Sequence, residues 1–395
     1  MKNSNFGKGI ILGIVIALVV MVSIGGGIYY SIFYGGSSSL SANTRQKMNL
    51  MENIINNKYL GKIDMSKMKD GVYKGVVDGL DDPYSVYYTK AEYDELKKST
   101  AGVYTGIGVL VQENPTTRLS SIVRVFPNTP AAKVGLKKGD VIYKIDDKDV
   151  SNLGVDKIVL RIKGKENSTF KLQVYRPSIK NYVTVNVKRE EVAYPSVDSK
   201  LFDAKYKIGY IQIFEFDENT KDQFDAAINS LKKQGVRGLM IDVRDNGGGL
   251  YDIVCAMLDE LLPKGMIVYT KDKDGKKTPQ FSDKNALGLP MVIIQNGNSA
   301  SASEIFAGAI QDFGAGKIVG EKSYGKGVVQ EILPFTDGSA MKLTVEHYYT
   351  PKGRDIQGKG ITPDVAVGPA TKPNTDPQLS TALNLMRRQL VAKQQ

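Results

Sequence analysis

Two short segments rich in small residues carry the side chains best suited to covalent chemistry. Ser301 lies in the run NSASASEI at 298–305, and Lys326 lies in the run SYGKGVVQ at 323–330. A serine hydroxyl becomes a strong nucleophile only when a nearby base removes its proton. A lysine can be that base if burial keeps its amine neutral. The two residues therefore predict nucleophilic catalysis by a serine and a lysine.

The composition leaves few other bases. The chain of 395 residues contains one histidine, His347, and one cysteine, Cys255. His347 falls in the alternating run MKLTVEHYY, which favours an ordinary cross-strand side chain over a catalytic base. Cys255 lies on a predicted helix at 250–262 and is expected to be a small buried side chain without a disulfide partner. One histidine and one cysteine cannot form a zinc site, so we predict neither a metal nor another cofactor.

The positive charge of the chain does not by itself indicate a nucleic-acid partner. The formal net charge is +11 at pH 7, but the lysines are scattered among acidic neighbours, as in DKDGKK at 272–277. Such mixing is typical of a solvated surface, here one that faces anionic lipid or cell wall. We therefore predict no binding to nucleic acid.

The segment 9–34 contains no charged residue. A helix of this length would span ~39 Å, which exceeds the ~30 Å hydrocarbon core of a bilayer. Lys2 and Lys8 precede it, so the tail 1–8 is expected in the cytoplasm and all later residues outside the cell membrane. The segment therefore predicts a single-pass membrane anchor. A cleaved signal peptide is the alternative, because the small residues SSSLSA follow at 37–42.

The rest of the chain divides into four predicted parts. Residues 43–101 form a helical region that ends near the turn DDPYS at 81–85. Residues 102–192 read as short β segments, and 193–370 alternate strands with helices, as in an α/β domain with right-handed crossovers. Residues 371–395 form a linker and a short basic helix. The predicted fold is multidomain α+β, with a β-rich domain inserted before an α/β domain.

Individual elements can be placed within these parts. The helical region shows helical spacing over 44–70 and a second helix at 65–80. In the α/β part, the predicted strands are 208–214, 236–243, 266–269, 290–295, 317–320 and 328–335. The predicted helices there are 220–234, 250–262 and 301–313. The strand at 236–243 is almost wholly apolar, which is typical of a parallel strand covered on both faces.

Each candidate residue also has a purely structural interpretation. The run SASE at 301–304 is a capping box, which would make Ser301 an N-cap. The two roles are compatible, because a serine at a strand-to-helix turn meets the positive helix end, where the Ala302 N–H can stabilise an oxyanion. A lysine between two glycines, as Lys326 is, usually lies in a surface turn. The run RDNGGGL at 244–250 could cradle a phosphate, but it lacks the pattern of a P-loop or a dinucleotide fold.

Taken in order, these segments resemble the carboxyl-terminal processing, or tail-specific, serine proteases. The resemblance runs from the helical region to the C-terminus and includes GLDDPYS at 79–85 and YTPKGRDIQGKGITPD at 349–364. It implies that Ser301 is the nucleophile, that Lys326 is the general base and that Gln330 positions the lysine amine. It also implies a second oxyanion donor, Gly248 or Gly249, which the sequence does not separate. The expected catalytic domain is α/β and crotonase-like.

The β-rich part resembles a PDZ domain of the bacterial protease type, and NTPAAKVGLKKGDVI at 128–142 supports this. Its glycine-containing loop would present successive N–H groups to a substrate carboxylate, which larger side chains would obstruct. The residues of this loop are Tyr104, Thr105, Gly106, Ile107 and Gly108. Lys163 stands where the family commonly has arginine, so a bidentate arginine contact is not expected there.

The resemblance implies a membrane-anchored, extracytoplasmic serine endopeptidase that recognises a free substrate C-terminus and cleaves near it. The expected partners are protein or peptide substrates and, through 9–34, the membrane. The family often dimerises through its N-terminal helical region, although helical spacing would equally support packing within the chain. Two alternatives stay open: a catalytically silent PDZ adaptor, and an acyl-CoA enzyme of the related crotonase-like fold. The second would need neither a Ser/Lys pair nor a PDZ insertion.

Overall fold

The computed structural model describes residues 42–113, 117, 119–283, 286–372 and 375–392. The predicted membrane anchor at 9–34 and the tail at 1–8 lie outside these ranges. Within the ranges, no helix is both long and apolar enough to cross a bilayer. The described residues up to Gly71 belong to one compact unit, and those from Val72 onward belong to a second.

Helices dominate the described residues before 101. They are α1 (Ala42–Lys58), α2 (Met65–Asp78) and α3 (Lys90–Thr100), with the short strand β1 (Val86–Tyr88) before α3. The helical spacing expected over 44–70 is interrupted after α1, and α2 starts where Asp64 accepts the N–H groups of Ser66 and Lys67, as an N-cap does. The sequence pattern does not predict β1.

An antiparallel sheet with its own apolar core forms the β-rich part. Its elements are β2 (Val103–Gly106), β3 (Val109–Glu113), β4 (Ser120–Val125), α4 (Pro130–Lys133), β5 (Val141–Ile145), β6 (Lys148–Asp149), α5 (Val155–Ile162), β7 (Thr169–Arg176), β8 (Asn181–Lys188) and β9 (Glu190–Ala193). The strand order is β3-β4-β5-β7-β8, with β6 on β5. β2 pairs with β9, so the two ends of this part meet. β3 is an edge strand.

The α/β part follows. Its elements are β10 (Val197–Asp203), β11 (Ile208–Ile213), α6 (Thr220–Lys233), β12 (Gly238–Asp242), α7 (Tyr251–Leu261), β13 (Gly265–Asp272), β14 (Lys277–Ser282), β15 (Met291–Gln295), α8 (Ala302–Phe313), β16 (Gly316–Gly320), β17 (Val328–Pro334), β18 (Ala340–Tyr349), β19 (Val365–Ala366) and α9 (Pro377–Ala392). A six-stranded sheet has the order β10-β11-β12-β15-β16-β19 and is parallel except for β10. Helices α6, α7 and α8 share a core with one face of this sheet, and α9 shares a core with the other. The predicted multidomain α/β architecture is confirmed.

Two of the strands predicted in this part, at 266–269 and 328–335, belong to a different sheet. The first is β13, which pairs antiparallel with β14 and β18 rather than joining the parallel sheet. The turn after β13 explains the difference. Asp272 accepts the N–H groups of Asp274 and Lys276, and Gly275 has a φ of +79°, so the chain reverses there. The same sheet includes β1 and β17, which both pair with β18.

Candidate active site

Ser301 lies at the turn between β15 and α8. It is the N-cap of α8, with φ +54° and ψ −114°, a conformation that residues with a side chain rarely adopt. The residues before it are fixed by hydrogen bonds. Ala300 donates its N–H to Asn246 O at 3.0 Å, and the Ser299 hydroxyl donates to Val243 O at 2.8 Å. The turn is therefore tied to the segment that follows β12.

A buried carboxylate, that of Glu304, joins the segment of Ser301 to that of Lys326. It accepts the N–H of Ser301 and the N–H of Lys326, each at 2.9 Å. It also accepts the Gly325 N–H at 2.8 Å and the Ser323 hydroxyl at 2.6 Å. Burial raises the pKa of Glu304, and these hydrogen bonds oppose that effect. The sequence identifies Glu304 only as the last residue of the capping box at 301–304. Its hydrogen bonds to the segment of Lys326 are visible only in the structure.

The hydroxyl of Tyr348 contacts the main-chain carbonyl oxygens of Ser301 and Lys326. Tyr348 is buried, and its hydroxyl lies 3.1 Å from Ser301 O and 2.5 Å from Lys326 O. Burial raises the pKa of Tyr348 well above its usual value, so the hydroxyl stays protonated and donates. The main chains of Ser301 and Lys326 are thus linked through two different side chains.

Ser301 and Lys326 line one cleft of about 280 Å³. Lys326 is half-buried, and burial lowers the pKa of its amine. The positive charge of Lys342 lowers this pKa further, while Asp82 and Glu304 act in the opposite direction. A lysine must have such a lowered pKa to accept a proton near neutral pH. The further residues of the cleft include Gly249, Tyr251, Ala302, Gln330 and Lys342.

The two glycines that the sequence leaves unseparated differ in their surroundings. A Cβ on Gly248 would lie 2.8 Å from Ser301 Cβ and 3.0 Å from Ala302 N, so only glycine fits. The Gly248 N–H is buried and donates to Asn246 Oδ1 at 2.8 Å. Gly249, with φ +139°, is exposed and lines the cleft. Of the two, Gly249 is therefore the one whose main chain faces the space beside Ser301.

Gln330 lies on β17 and lines the same cleft as Lys326. Its Nε2 donates to Thr344 Oγ1, on the neighbouring strand β18, at 3.2 Å. The Thr344 N–H donates to Ser85 Oγ at 3.0 Å. In the same turn as Ser85, the Tyr84 ring centre lies 4.7 Å from Lys326 Nζ. The sequence treats 81–85 only as a turn and does not assign Thr344 to the site.

An ion-pair network fixes the end of β12, from which the glycine run continues. The buried Asp242 accepts the Tyr210 hydroxyl at 2.8 Å and pairs with Arg244 at 2.6 Å. Arg244 also pairs with Asp376, just before α9, at 2.9 Å. Although burial lowers the pKa of Arg244, its hydrogen bonds to the two carboxylates raise it overall. The backbone that carries Gly248 and Gly249 is thus anchored to both the sheet and the C-terminal helix.

A second and larger cleft, of about 1020 Å³, lies beside β3 and α5. Tyr104 and Thr105 of the predicted carboxylate loop line it, together with Val109, Val111, Val159 and Lys163. Because β3 is at the edge of its sheet, an extended peptide could pair with it there.

The other three residues of the predicted carboxylate loop do not match the expectation that successive N–H groups face a substrate carboxylate. Gly106, Ile107 and Gly108 do not line the cleft. The Ile107 side chain is buried in the core of the β-rich part. Burial raises the pKa of Tyr104 to about 12, so its hydroxyl stays protonated at neutral pH. Of the five loop residues, only Tyr104 and Thr105 therefore face the cleft.

His347 and Cys255, which the sequence analysis excludes as catalytic residues, also lie in environments that do not favour catalysis. His347 is an exposed residue of β18, opposite Val328 and Lys271, and does not line the cleft with Ser301. This agrees with its prediction as a strand residue. Cys255, expected to be buried, is only partly so, but the burial raises the pKa of its thiol to about 12. A thiol with such a pKa is a poor nucleophile at neutral pH.

Three family models match consecutive parts of this chain. They are peptidase family S41 at residues 207–367, the PDZ domain at 103–188, and the N-terminal domain of the activating protease CtpB at 35–92. The PDZ and protease domains expected from the sequence are thereby confirmed.

Similarity to known proteins supports the same family. The carboxy-terminal processing protease CtpB of Bacillus subtilis (strain 168) is 35% identical over 317 residues, which are 80% of this chain and 66% of that protein. The carboxyl-terminal-processing protease of Picosynechococcus sp. is 36% identical over 310 residues, 76% of this chain and 74% of that protein. A crystal structure of a candidate S41 protease from Bacteroides fragilis NCTC 9343 is also similar, with a TM-score of 0.55 and 17% identity. The match covers 83% of this chain and 92% of that chain, and at this identity it supports the fold alone. The chain therefore belongs to peptidase family S41 and, within it, to the carboxyl-terminal processing serine proteases.

Proposed function

We propose that this protein is a serine endopeptidase with Ser301 as its nucleophile and Lys326 as its general base. The observation that carries the proposal is the shared acceptor of the two residues, because Glu304 takes the N–H of each at 2.9 Å. The proposed nucleophile and base therefore line one cleft and are held by the same carboxylate. The lowered pKa of Lys326 keeps more of its amine neutral near physiological pH, and only the neutral amine can accept the serine proton.

In the proposed mechanism the neutral Lys326 amine takes the hydroxyl proton as Ser301 Oγ attacks the substrate carbonyl. The N–H groups of Ala302 and Gly249 stabilise the oxyanion, and the N-terminus of α8 adds its positive end. The Lys326 ammonium then gives its proton to the leaving amine as the peptide bond breaks. A water molecule, deprotonated by Lys326, hydrolyses the acyl-enzyme and regenerates Ser301.

We assign Gln330 a positioning role beside the lysine. It lines the same cleft as Lys326, and its amide oxygen can accept a hydrogen bond from the amine. Such a contact would hold the amine in one orientation without taking part in the proton transfer.

Substrate selection is assigned to the PDZ domain, which would take a free substrate C-terminus beside the edge strand β3. The support for this assignment is geometric, because the cleft lies along an edge strand with which an extended peptide can pair. The charges that line it are mixed: Lys98, Arg124, Lys163 and Lys165 stand beside Glu95, Glu166, Glu215 and Asp217. A substrate carboxylate would therefore be bound by individual donors of the cleft rather than by its net charge, and cleavage would follow near that end.

The location and assembly of the protein are also proposals. The uncharged segment 9–34 would anchor it in the cell membrane with the catalytic part outside. Exposed apolar residues on α1, namely Leu50, Met51 and Ile54, support pairing of two copies through the N-terminal helical region.

The experiment that tests the proposal combines covalent labelling with peptide cleavage. The full chain should be labelled at Ser301 by a serine-reactive phosphonate, and Ser301→Ala and Lys326→Ala should each abolish labelling and cleavage without loss of fold. Gln330→Ala should have a milder effect, since it removes positioning rather than the base. Retention of more than about a tenth of wild-type turnover by Lys326→Ala would contradict the dyad, because deletion of a general base costs roughly 10²–10⁴-fold. A folded protein that neither labels nor cleaves would instead indicate a silent adaptor.

A further inference from the structure

The turn at 81–85 is linked to the cleft by a chain of hydrogen bonds. The Ser85 hydroxyl donates to Asp82 Oδ2 at 2.5 Å and accepts the Thr344 N–H at 3.0 Å. The Thr344 side chain also helps to lower the pKa of the Asp82 carboxyl. Finally, Gln330 Nε2 donates to Thr344 Oγ1 at 3.2 Å. Four residues from three separate segments of the chain therefore form one network.

The contacts of the Gln330 amide give it a single orientation. Its NH₂ group donates to Thr344 Oγ1, so the opposite end of the same amide, its carbonyl oxygen, is left for a donor on the other side. Thr344 itself is held from the turn, because the Ser85 hydroxyl accepts the Thr344 N–H and donates its one proton to Asp82. The position of the Thr344 hydroxyl beside Gln330 therefore depends on Ser85 and Asp82.

We propose that Thr344 and Asp82 are positioning residues that fix the amide of Gln330 with its oxygen towards the amine of Lys326. This inference rests on the proposed function, since it concerns the same base. It extends the site to a segment far earlier in the chain and to a residue on β18 that no motif indicates. The turn completes the site rather than merely ending the helical region.

Three further observations support a structural connection between the turn and the cleft. Ser85 is 5% exposed, so its hydroxyl is shielded from water that would otherwise compete for the Thr344 N–H. The Tyr84 ring contacts the base itself, with its centre 4.7 Å from Lys326 Nζ. The turn is held in register with β18 because β1, which follows it, pairs Val86 with Lys342.

The test is the variant Thr344→Val, which keeps the shape of the side chain and removes its hydroxyl. We expect kcat to fall about tenfold, the loss expected for one oriented hydrogen bond, with KM within about twofold of wild type. Thr344→Ser restores the hydroxyl and should return kcat to within about threefold. In a Gln330→Ala background, Thr344→Val should cause no further loss, because the two residues act through one contact. Additive losses, or a Thr344→Val enzyme with wild-type kcat, would overturn the inference.

The chain contains a matched control for this substitution. Gln173 Nε2 donates to Thr184 Oγ1 at 3.1 Å across an antiparallel strand pair of the β-rich part, as Gln330 does to Thr344. Thr184→Val removes the same kind of bond away from Ser301 and should leave kcat unchanged. Melting temperatures of all variants separate a loss of fold from a loss of positioning. If Thr344→Val does not fold, Thr344→Ala removes the same hydroxyl, and a wild-type kcat in that variant is equally decisive.

The role of Asp82 is tested by Asp82→Asn, compared with wild type on the high-pH plateau where the Lys326 amine is neutral in both. The amide that replaces the carboxylate is a weaker acceptor for the Ser85 hydroxyl, which loosens the hold of Ser85 on Thr344, so kcat should fall, and the loss should not add to that of Thr344→Val. A cleavage-competent Ser301→Ala would refute the proposed function itself. An inactive Ser301→Ala together with fully active Thr344→Val and Asp82→Asn would refute this inference alone.

Discussion

The main-chain N–H groups of Ser301 and Lys326 share one buried carboxylate, that of Glu304, at 2.9 Å each. Tyr348 makes the corresponding connection between the carbonyl groups of the same residues. The relative position of Ser301 and Lys326 is therefore set through the main chain. The flexible side chain of a lysine would not define that position by itself.

Glu304→Gln should disrupt this arrangement while keeping the size of the side chain. One carboxylate oxygen is replaced by an NH₂ group, which would face N–H donors that it cannot accept. We expect kcat to fall by more than about 100-fold, and the free energy of unfolding to fall by ~1–3 kcal/mol, the usual cost of a buried unpaired polar group. Peptide kinetics and denaturant unfolding measure the two effects. Glu331→Gln, at an exposed position on β17, is the matched control and should change neither.

Lys342→Gln should move the pH profile of the enzyme. In the proposed mechanism the neutral amine of Lys326 is the active form, so kcat/KM should rise with pH and level off above the pKa of Lys326. Burial and the charge of Lys342 lower that pKa, while Asp82 and Glu304 raise it. Removal of the Lys342 charge therefore raises the pKa of Lys326 and shifts the rising limb to higher pH. The control Lys276→Gln makes the same charge change at an exposed position of a turn and should not shift the pH profile. An unshifted profile for Lys342→Gln would contradict the effect of the Lys342 charge on Lys326.

His347→Gln should retain wild-type activity. The side chain is exposed and outside the cleft, so its removal takes nothing from the proton transfer. The measurement is kcat/KM on the peptide used for Ser301→Ala. A variant as inactive as Ser301→Ala would restore the Ser-His alternative.

Amidated peptides should bind less tightly than peptides with a free C-terminus. The amide lacks the negative charge that a carboxylate-binding site beside β3 would recognise, and each charge-assisted hydrogen bond contributes roughly 1.5–3 kcal/mol at most. We expect a drop in affinity of about tenfold or more, measured on full-length Ser301→Ala so that the peptide stays intact. Dissociation constants that agree within about twofold would remove the PDZ domain from tail recognition.

Local patterns are sufficient to predict much of this molecule. The strand and helix around Ser301 depend on an apolar run followed by a capping box, and both appear where predicted, as β15 and α8. His347 lies on a strand as predicted for the same reason, since alternation along one segment is a local signal.

Features that depend on pairing between distant segments cannot be predicted in this way. Because a helix precedes β13, the alternation of strands and helices predicts that this strand joins the parallel sheet. Its actual partners are β14, which follows the chain reversal at Gly275, and β18, which comes much later in the chain. The contact of Thr344 with Gln330 depends on the register of β17 against β18, which contains an irregularity between Val329 and Gln330. A single sequence contains no information on such a shift.

The C-terminal helix α9 bears on how a tail-cleaving enzyme spares itself. Its Ala382, Met386 and Leu390 are buried against the sheet, and its start is fixed by the ion pair of Asp376 with Arg244. A peptide must be extended to pair with a strand edge and enter a narrow cleft, and a helix with a buried apolar face cannot do so without first unfolding. Under the proposed activity, the folding stability of α9 is thus what distinguishes this segment of the enzyme from its substrates. A substitution that loosens the helix would convert the enzyme into a target of its neighbouring copies.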